Sequence, residues 1–176
     1  MDASYDWDFL SDGKPSGRDA SGARARSPLE DHVDELALFL SVHLGRTPGL
    51  LWPEAEHPAQ GCTDASPWDA SDLRDLARHL AARTGLACSS EQFVSPPLGG
   101  HPRGGGGGDM LVHQLEGAGS WTTAAEAGGG SRSWLHWRLL PGEVLYIPDG
   151  RFRHMTSTVA VRYVVTRLSG EARQGE

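Results

Sequence analysis

The sequence predicts a mostly β domain, a small antiparallel barrel or sandwich entered through two helices. Three observations carry this. Short apolar runs in the C-terminal third are cut by turn signals: residues 110–115 end at Glu116-Gly117, residues 134–140 stop at Pro141-Gly142, and residues 143–147 stop at Pro148-Asp149-Gly150. Near the end, Val159, Val161, Tyr163 and Val165 alternate with Ala160, Arg162 and Val164, the period-two pattern of a half-buried strand. Upstream, two stretches carry apolar residues at helical spacing instead. Several short strands at close spacing suggest a closed barrel or two packed sheets.

Taken in order, residues 1–27 are rich in Gly, Ser, Asp, Arg and Ala and predict a disordered segment, with Tyr5, Trp7, Phe9 and Leu10 as a local apolar exception. Ser27-Pro28 opens the first helix, with Ser27 as N-cap and Pro28 at the first helical position. Glu30, Asp31, Asp34 and Glu35 place negative charge in its early turns, where the helix dipole favours it. Val33, Leu36, Ala37 and Leu40 form the stripe that faces the sheet, Gly45 ends the helix, and His43 is an ordinary helix-end histidine. Residues 52–70 predict a loop. Ser71-Asp72 is expected to cap a second helix with the stripe Leu73, Leu76, Ala77 and Leu80, a solvated side of Arg74, Arg78 and Arg83, and Gly85 as its stop. His101-Pro102-Arg103 runs into five glycines at 104–108. A phosphate-binding loop needs Lys-Ser/Thr entering a helix, whereas Asp109 and a strand follow here, so the glycines predict a flexible connection between strands. Gly128 to Gly130 predict a hairpin connection between Trp121 and Trp134. With residues 171–176 as a disordered tail, one domain spans 28–170.

A chain of 176 residues is long enough for one domain with a real core. The net charge of −7 argues against nucleic acid as a partner, because phosphate binding needs a basic face. Lys14 is the only lysine among the basic residues, a bias that fits a GC-rich genome. Cys62 and Cys88 have no metal-ligand spacing, and reduced thiols in a cytoplasmic protein are expected. No apolar run is long enough for a membrane span, and the acidic N-terminus does not read as a signal peptide.

The segment PGEVLYIPDGRFRH resembles the PGD-x-LY-x-P-x-G-x-x-H segment of the JmjC-like cupins (the cupin-4 type), a branch of the Fe(II)/2-oxoglutarate oxygenase superfamily. DMLVHQLEGAGSW resembles that branch's D-x-F-x-x-Q-x-x-G-x-K-x-W, and FLSVHLGRTPGLL its entry helix and turn. The resemblance covers residues 36–168 and is that of a divergent, trimmed member. It implies a double-stranded β-helix (cupin or jelly-roll) barrel with two N-terminal helices packed on it.

It also implies an Fe(II) centre held by two histidines and a carboxylate on one face, with open positions for co-substrate and oxygen. His101 matches the first histidine. Its carboxylate belongs two residues on, where Arg103 stands, and a guanidinium cannot ligate iron. Asp109 takes that place if the glycine loop folds back. His154 matches the last ligand by motif but comes one residue late, a shift that turns a strand side chain to the other face unless a bulge absorbs it. His113 is a substitute ligand or simply a hydrogen-bonded histidine on a sheet face. The family's 2-oxoglutarate lysine falls two residues before the tryptophan, where Gly119 stands, which leaves Arg162 and Arg138 as cofactor-binding substitutes. Two functions stay open. One is a metal-dependent, Fe(II) oxygenase acting on a small molecule or peptide in specialised metabolism. The other is a degenerate cupin without 2-oxoglutarate chemistry that binds a ligand or a protein partner as a non-catalytic subunit.

Overall fold

The computed structural model describes residues 26–54, 68–101, 108–126 and 132–170. Two helices, α1 (Pro28–His43) and α2 (Ala70–Thr84), interleave with nine strands: β1 (Gly49–Leu51), β2 (Ala87–Ser95), β3 (Gly100–His101), β4 (Asp109–Glu116), β5 (Gly119–Glu126), β6 (Arg132–Leu139), β7 (Val144–Ile147), β8 (Phe152–Thr156) and β9 (Val161–Ser169). The expected disorder of residues 1–25 and 171–176, and the loop at 128–130, lie outside the described residues.

Helix α1 starts as its sequence predicts. The Ser27 hydroxyl accepts from Glu30 N at 3.2 Å and the Glu30 carboxylate accepts from Ser27 N at 2.9 Å, a reciprocal capping box. Helix α2 corrects the predicted cap. Asp69 is the N-cap, accepting from Ser71 N and Asp72 N, and Ser71 and Asp72 belong to the first turn. A carboxylate one residue before the first helical position reaches these orphan N–H groups, which Ser71 from inside the turn does not. Gly85 closes α2 in the left-handed region at φ 71°, as a C-terminal glycine does.

The strands form two antiparallel sheets, ordered β1-β7-β4-β9-β2 and β3-β8-β5-β6. Alternation assigns each side chain to a layer. From the five-stranded sheet, Leu111, Val144, Tyr146, Val164 and Leu168 pack against Val33, Leu36 and Leu40 of α1 and Leu76 and Leu80 of α2. The other set, Met110, Val112, Leu145, Ile147, Val161, Tyr163 and Val165, faces the second sheet and meets Trp121, Leu139 and Met155 in the barrel interior. This five-stranded sheet is thus buried on both faces, so β7 and most of β9 read as continuous apolar runs. The result is the double-stranded β-helix with two helices on its outer side that the sequence predicts.

Turn chemistry holds the register. Gly117 sits at φ 67°, and a Cβ there would collide with the Ala160 carbonyl oxygen, so the position requires glycine. The register of β4 against β9 shifts between Gln114 and Glu116, a β-bulge. Buried Gln114 spans it, its amide donating to the Glu116 and Gly117 carbonyls at 2.9 and 3.2 Å. At the facing turn, Glu143 accepts from Leu140 N at 2.8 Å and from Trp52 Nε1 at 2.5 Å.

Candidate functional site

The two faces of each sheet decide which of the expected site residues can meet. On β4 the even residues Met110 and Val112 point into the barrel, whereas Asp109, Leu111 and His113 point to the helices. Asp109 is accordingly a structural carboxylate. Its Oδ1 accepts from the Tyr146 hydroxyl at 2.7 Å and from Asp149 N at 2.9 Å, and the same hydroxyl accepts from Gly45 N at 2.7 Å. Burial, and then the Asp109 carboxylate, raise the Tyr146 phenol well above the usual tyrosine range. His113 is fully buried between sheet and helices, its ring 5.6 Å from that of His32 and 6.4 Å from that of Trp68. Neither Asp109 nor His113 looks into the barrel, which corrects the expectation that one of them completes a metal site there.

On β8 the inward residues are Arg153 and Met155. Met155 belongs to the interior core, and Arg153, in register with Thr123 of β5, is only 3% exposed. His154 between them has the opposite orientation. It pairs with Thr122 on the outer face of the four-stranded sheet, where Thr122 also pairs with His136 and its hydroxyl lies 3.1 Å from His136 Nδ1. No bulge interrupts β8 against β5 to turn His154 back. The residue late by one in the motif is therefore late in space as well, and Arg153 fills the inward position that the family pattern gives to histidine.

His101 lies on β3 opposite Met155, and its side chain lies outside the described part of the structure, as do Arg103 and the glycines at 104–107. Among the described residues, no three His, Cys, Asp or Glu side chains come together as a metal site. The arginines proposed for 2-oxoglutarate are also turned away. Arg162 bridges Glu116 at 3.2 Å on the helix-side face of β9, and exposed Arg138 lies on the outer face of β6. Arg138 borders a cleft of about 500 Å³ with Leu98, Ser120, Thr156, Thr158 and Val159.

Among the described residues the donor set thus does not fit an Fe(II) centre. An iron site needs its carboxylate and second histidine on one wall of one cavity. Here the carboxylate is committed to a phenol and a backbone N–H behind one sheet, and the histidine stands outside the other.

The inner wall near Arg153 is instead cationic. On β9, Val161, Tyr163 and Val165 face inward, and Arg167 is the next residue of that row, in register with Met110 on one side and Ser89 on the other. Burial holds the Arg153 guanidinium below the usual arginine range, the positive charge of Arg167 adds to this, and Asp149 opposes it. Sequence reasoning did not single out Arg153. The signal was present in the six-residue spacing from Pro148, which ends on Arg153.

No family model matches the chain, and no curated protein sequence matches it. Solved structures do. A structure of YcfD, described as a ribosomal oxygenase from Escherichia coli in complex with cobalt and succinic acid, superposes with a TM-score of 0.53 at 15% identity, covering 79% of this chain and 52% of that one. An X-ray structure of E. coli YcfD gives 0.53 at 13%, covering 77% and 53%. A cupin superfamily protein from Desulfitobacterium hafniense DCB-2 covers 47% of this chain and 67% of its own, at 16% identity and a TM-score of 0.39. The chain spans about half the length of the YcfD chains it matches. At these identities the likeness speaks for the fold alone: the chain folds like the part of the YcfD chains that it covers.

Proposed function

We propose that the protein is a ligand-binding cupin that does not run iron/2-oxoglutarate chemistry. The observation that carries this is the exchange on β8: a guanidinium, buried and inward, occupies the position of the third metal ligand, and the neighbouring imidazole of His154 faces away. A guanidinium has no lone pair for a metal and repels one. Gly119, at the position of the family's 2-oxoglutarate lysine, supports the same reading from a second strand. The scaffold residues of the resemblance, Gln114, Gly117, Tyr146 and Asp109, are kept because they hold the bulge, the turn and the helix end.

The test is anaerobic loading with Fe(II), gel filtration, elemental analysis and addition of 2-oxoglutarate with the visible spectrum followed. The expected result is no stoichiometric iron and no charge-transfer band. Near one iron per chain, abolished by His101→Ala, would overturn the proposal and restore a metal-dependent oxygenase.

A further inference from the structure

Among the described residues, β6 ends the four-stranded sheet and pairs only with β5, so the backbone groups along its other side meet no strand. Its two rows of side chains differ. Leu135, Trp137 and Leu139 lie on the inward row, in register with Thr123, Trp121 and Gly119. Leu135 is nevertheless 40% exposed and Trp137 only partly buried, so the interior is open along this side. Trp134, His136 and Arg138 form the outward row; all three are exposed, and Arg138 makes no ion pair among the described residues. A long edge strand with an apolar row invites another strand, and proteins cover such edges. The remaining edges are less suited: β1 has three residues, β3 has two, and β2 carries exposed Ser89 and Glu91.

The chain carries the complement of this edge near its start. Tyr5, Trp7 and Phe9 alternate with Asp6 and Asp8, the period of a strand with one apolar and one acidic face. Laid antiparallel on β6, Tyr5 meets Leu139, Trp7 meets Trp137 and Phe9 meets Leu135 on the inward row. On the other row, Asp6 meets Arg138, Asp8 meets His136, Leu10 meets Trp134 and Asp12 meets Arg132. Apolar groups thus face apolar groups and acids face bases, pairings that favour a sheet. The register is specific. A slip of one residue turns the aspartates to the inward row, and a slip of two in either direction sets Asp8 or Asp12 against Trp134. A second copy of β6 is a worse partner: centring the pair on Leu135 opposes Arg132 to Arg138, and centring it on His136 opposes two imidazoles. The link from Asp12 to Arg26 extends to about 45–50 Å, whereas a domain of this size is about 40 Å across, so the segment reaches β6.

We infer that residues 5–12 add to β6 as an antiparallel fifth strand of the smaller sheet, with Asp6 and Asp8 on Arg138 and His136 and with Trp7 and Phe9 closing the open side over Trp137 and Leu135. Main-chain hydrogen bonds give such an added strand its hold, and the alternating side chains give it its register. It lies at the sheet's edge, outside the barrel interior, and so forms whether or not the barrel binds a ligand. It seals the interior on this side and withholds the edge from other chains.

The experiment is hydrogen exchange of the full chain, read by mass spectrometry, with sedimentation to fix the oligomeric state. The β6 amides that face away from β5 should exchange slowly. Trp7→Ser combined with Phe9→Ser should speed them about tenfold or more and leave the amides of β9 unchanged. Arg138→Asp should also speed them, and adding Asp6→Arg should restore the slow exchange by reversing the pair. Adding Asp8→Arg to Arg138→Asp should not, because Asp8 meets Arg138 only in a parallel strand. If the double substitution loosens β9 as well, the charge exchange, which keeps every apolar residue, decides. Exchange in β6 that neither the double substitution nor Arg138→Asp alters overturns the inference, as does rescue by Asp8→Arg in place of Asp6→Arg. A dimer that the double substitution dissociates also overturns it, since the segment would then sit on a second copy.

Discussion

The Tyr146 hydroxyl donates to Asp109 Oδ1 at 2.7 Å while accepting from Gly45 N at 2.7 Å, and so ties the end of α1 to the first residue of β4. Tyr146 is fully buried, so Tyr146→Phe takes from Gly45 N its acceptor and leaves Asp109 Oδ1 with the Asp149 N–H alone. The expected cost is about 1–3 kcal/mol in urea unfolding. A cycle with Asp109→Ala should show coupling of at least about 0.5 kcal/mol. Strict additivity would mean that the pair does not act as one unit.

The same burial gives an alkaline signature. Tyr163 is pushed up to about 12 by burial, and Tyr146 is raised further by burial and by Asp109. Both folded-state values lie above the ordinary tyrosine value of 10, so the folded protein keeps protons that the unfolded chain has released. The associated stability is complete below pH 10 and is lost as pH rises toward 12. Ultraviolet titration should show these two phenols silent through pH 11, and Tyr163→Phe should flatten the decline in stability above pH 10. A full three-tyrosine transition near pH 10 in native protein would contradict this.

Acid should act on α2. Asp69 is held below the usual aspartate value by the Ser71 hydroxyl first, and then by the N–H groups of Asp72 and Ser71. Its contribution is present above the unfolded value near 3.8 and is lost as pH falls through the lower folded one. Asp69→Asn keeps a capping oxygen and removes the titration. Below pH 4 its helix signal should therefore fall less steeply with pH than that of wild type, measured by far-ultraviolet circular dichroism.

Gly117→Ala should be among the most damaging small substitutions. It combines a φ of 67° with a collision against the Ala160 carbonyl. We expect a loss of about 2 kcal/mol or more, because strain and a steric clash add at one position. A neutral effect would mean that the turn has relaxed.

Neighbouring residues on β8 test its register. Met155→Ala should cost about 2–5 kcal/mol by opening the interior core, and His154→Ala, on the outer face, less than about 1 kcal/mol. A reversal of that order would place β8 one residue out of register and return His154 to the barrel.

The fold was legible because its signals are local. Ser27-Pro28, Gly85, Pro141-Gly142 and Pro148-Asp149-Gly150 punctuate the chain where the structure does, and the alternation in β9 has the correct phase. Strand β5 was harder to read. GSWTTAAE alternates large and small residues, but its inward tryptophan is recognisable only once Met155 and Tyr163 face it. The site was less legible still, because it depends on faces. Asp109 and His154 have the right chemistry for a metal and the right neighbourhood in the motif, but each lies on the outward row of its strand. A carboxylate and an imidazole read the same in sequence whether they point in or out, and only the pairing partners, Leu168 for Asp109 and Thr122 for His154, tell which.

The order of strands in the larger sheet has a consequence for how the chain is made. Strand β9, the last of the nine in chain order, is not at an edge: it lies between β4 and β2, and the register joins Ser169 to Ala87, 82 positions earlier. Until it emerges, β2 has no neighbour, β4 has only β7, and the apolar faces meant for both cores stay in water. Folding must therefore wait for nearly the whole domain and close long loops late, which favours slow folding and makes the nascent chain dependent on protection from aggregation. A stop codon anywhere before β9 would remove the middle of the sheet rather than its margin, and should leave no folded remnant.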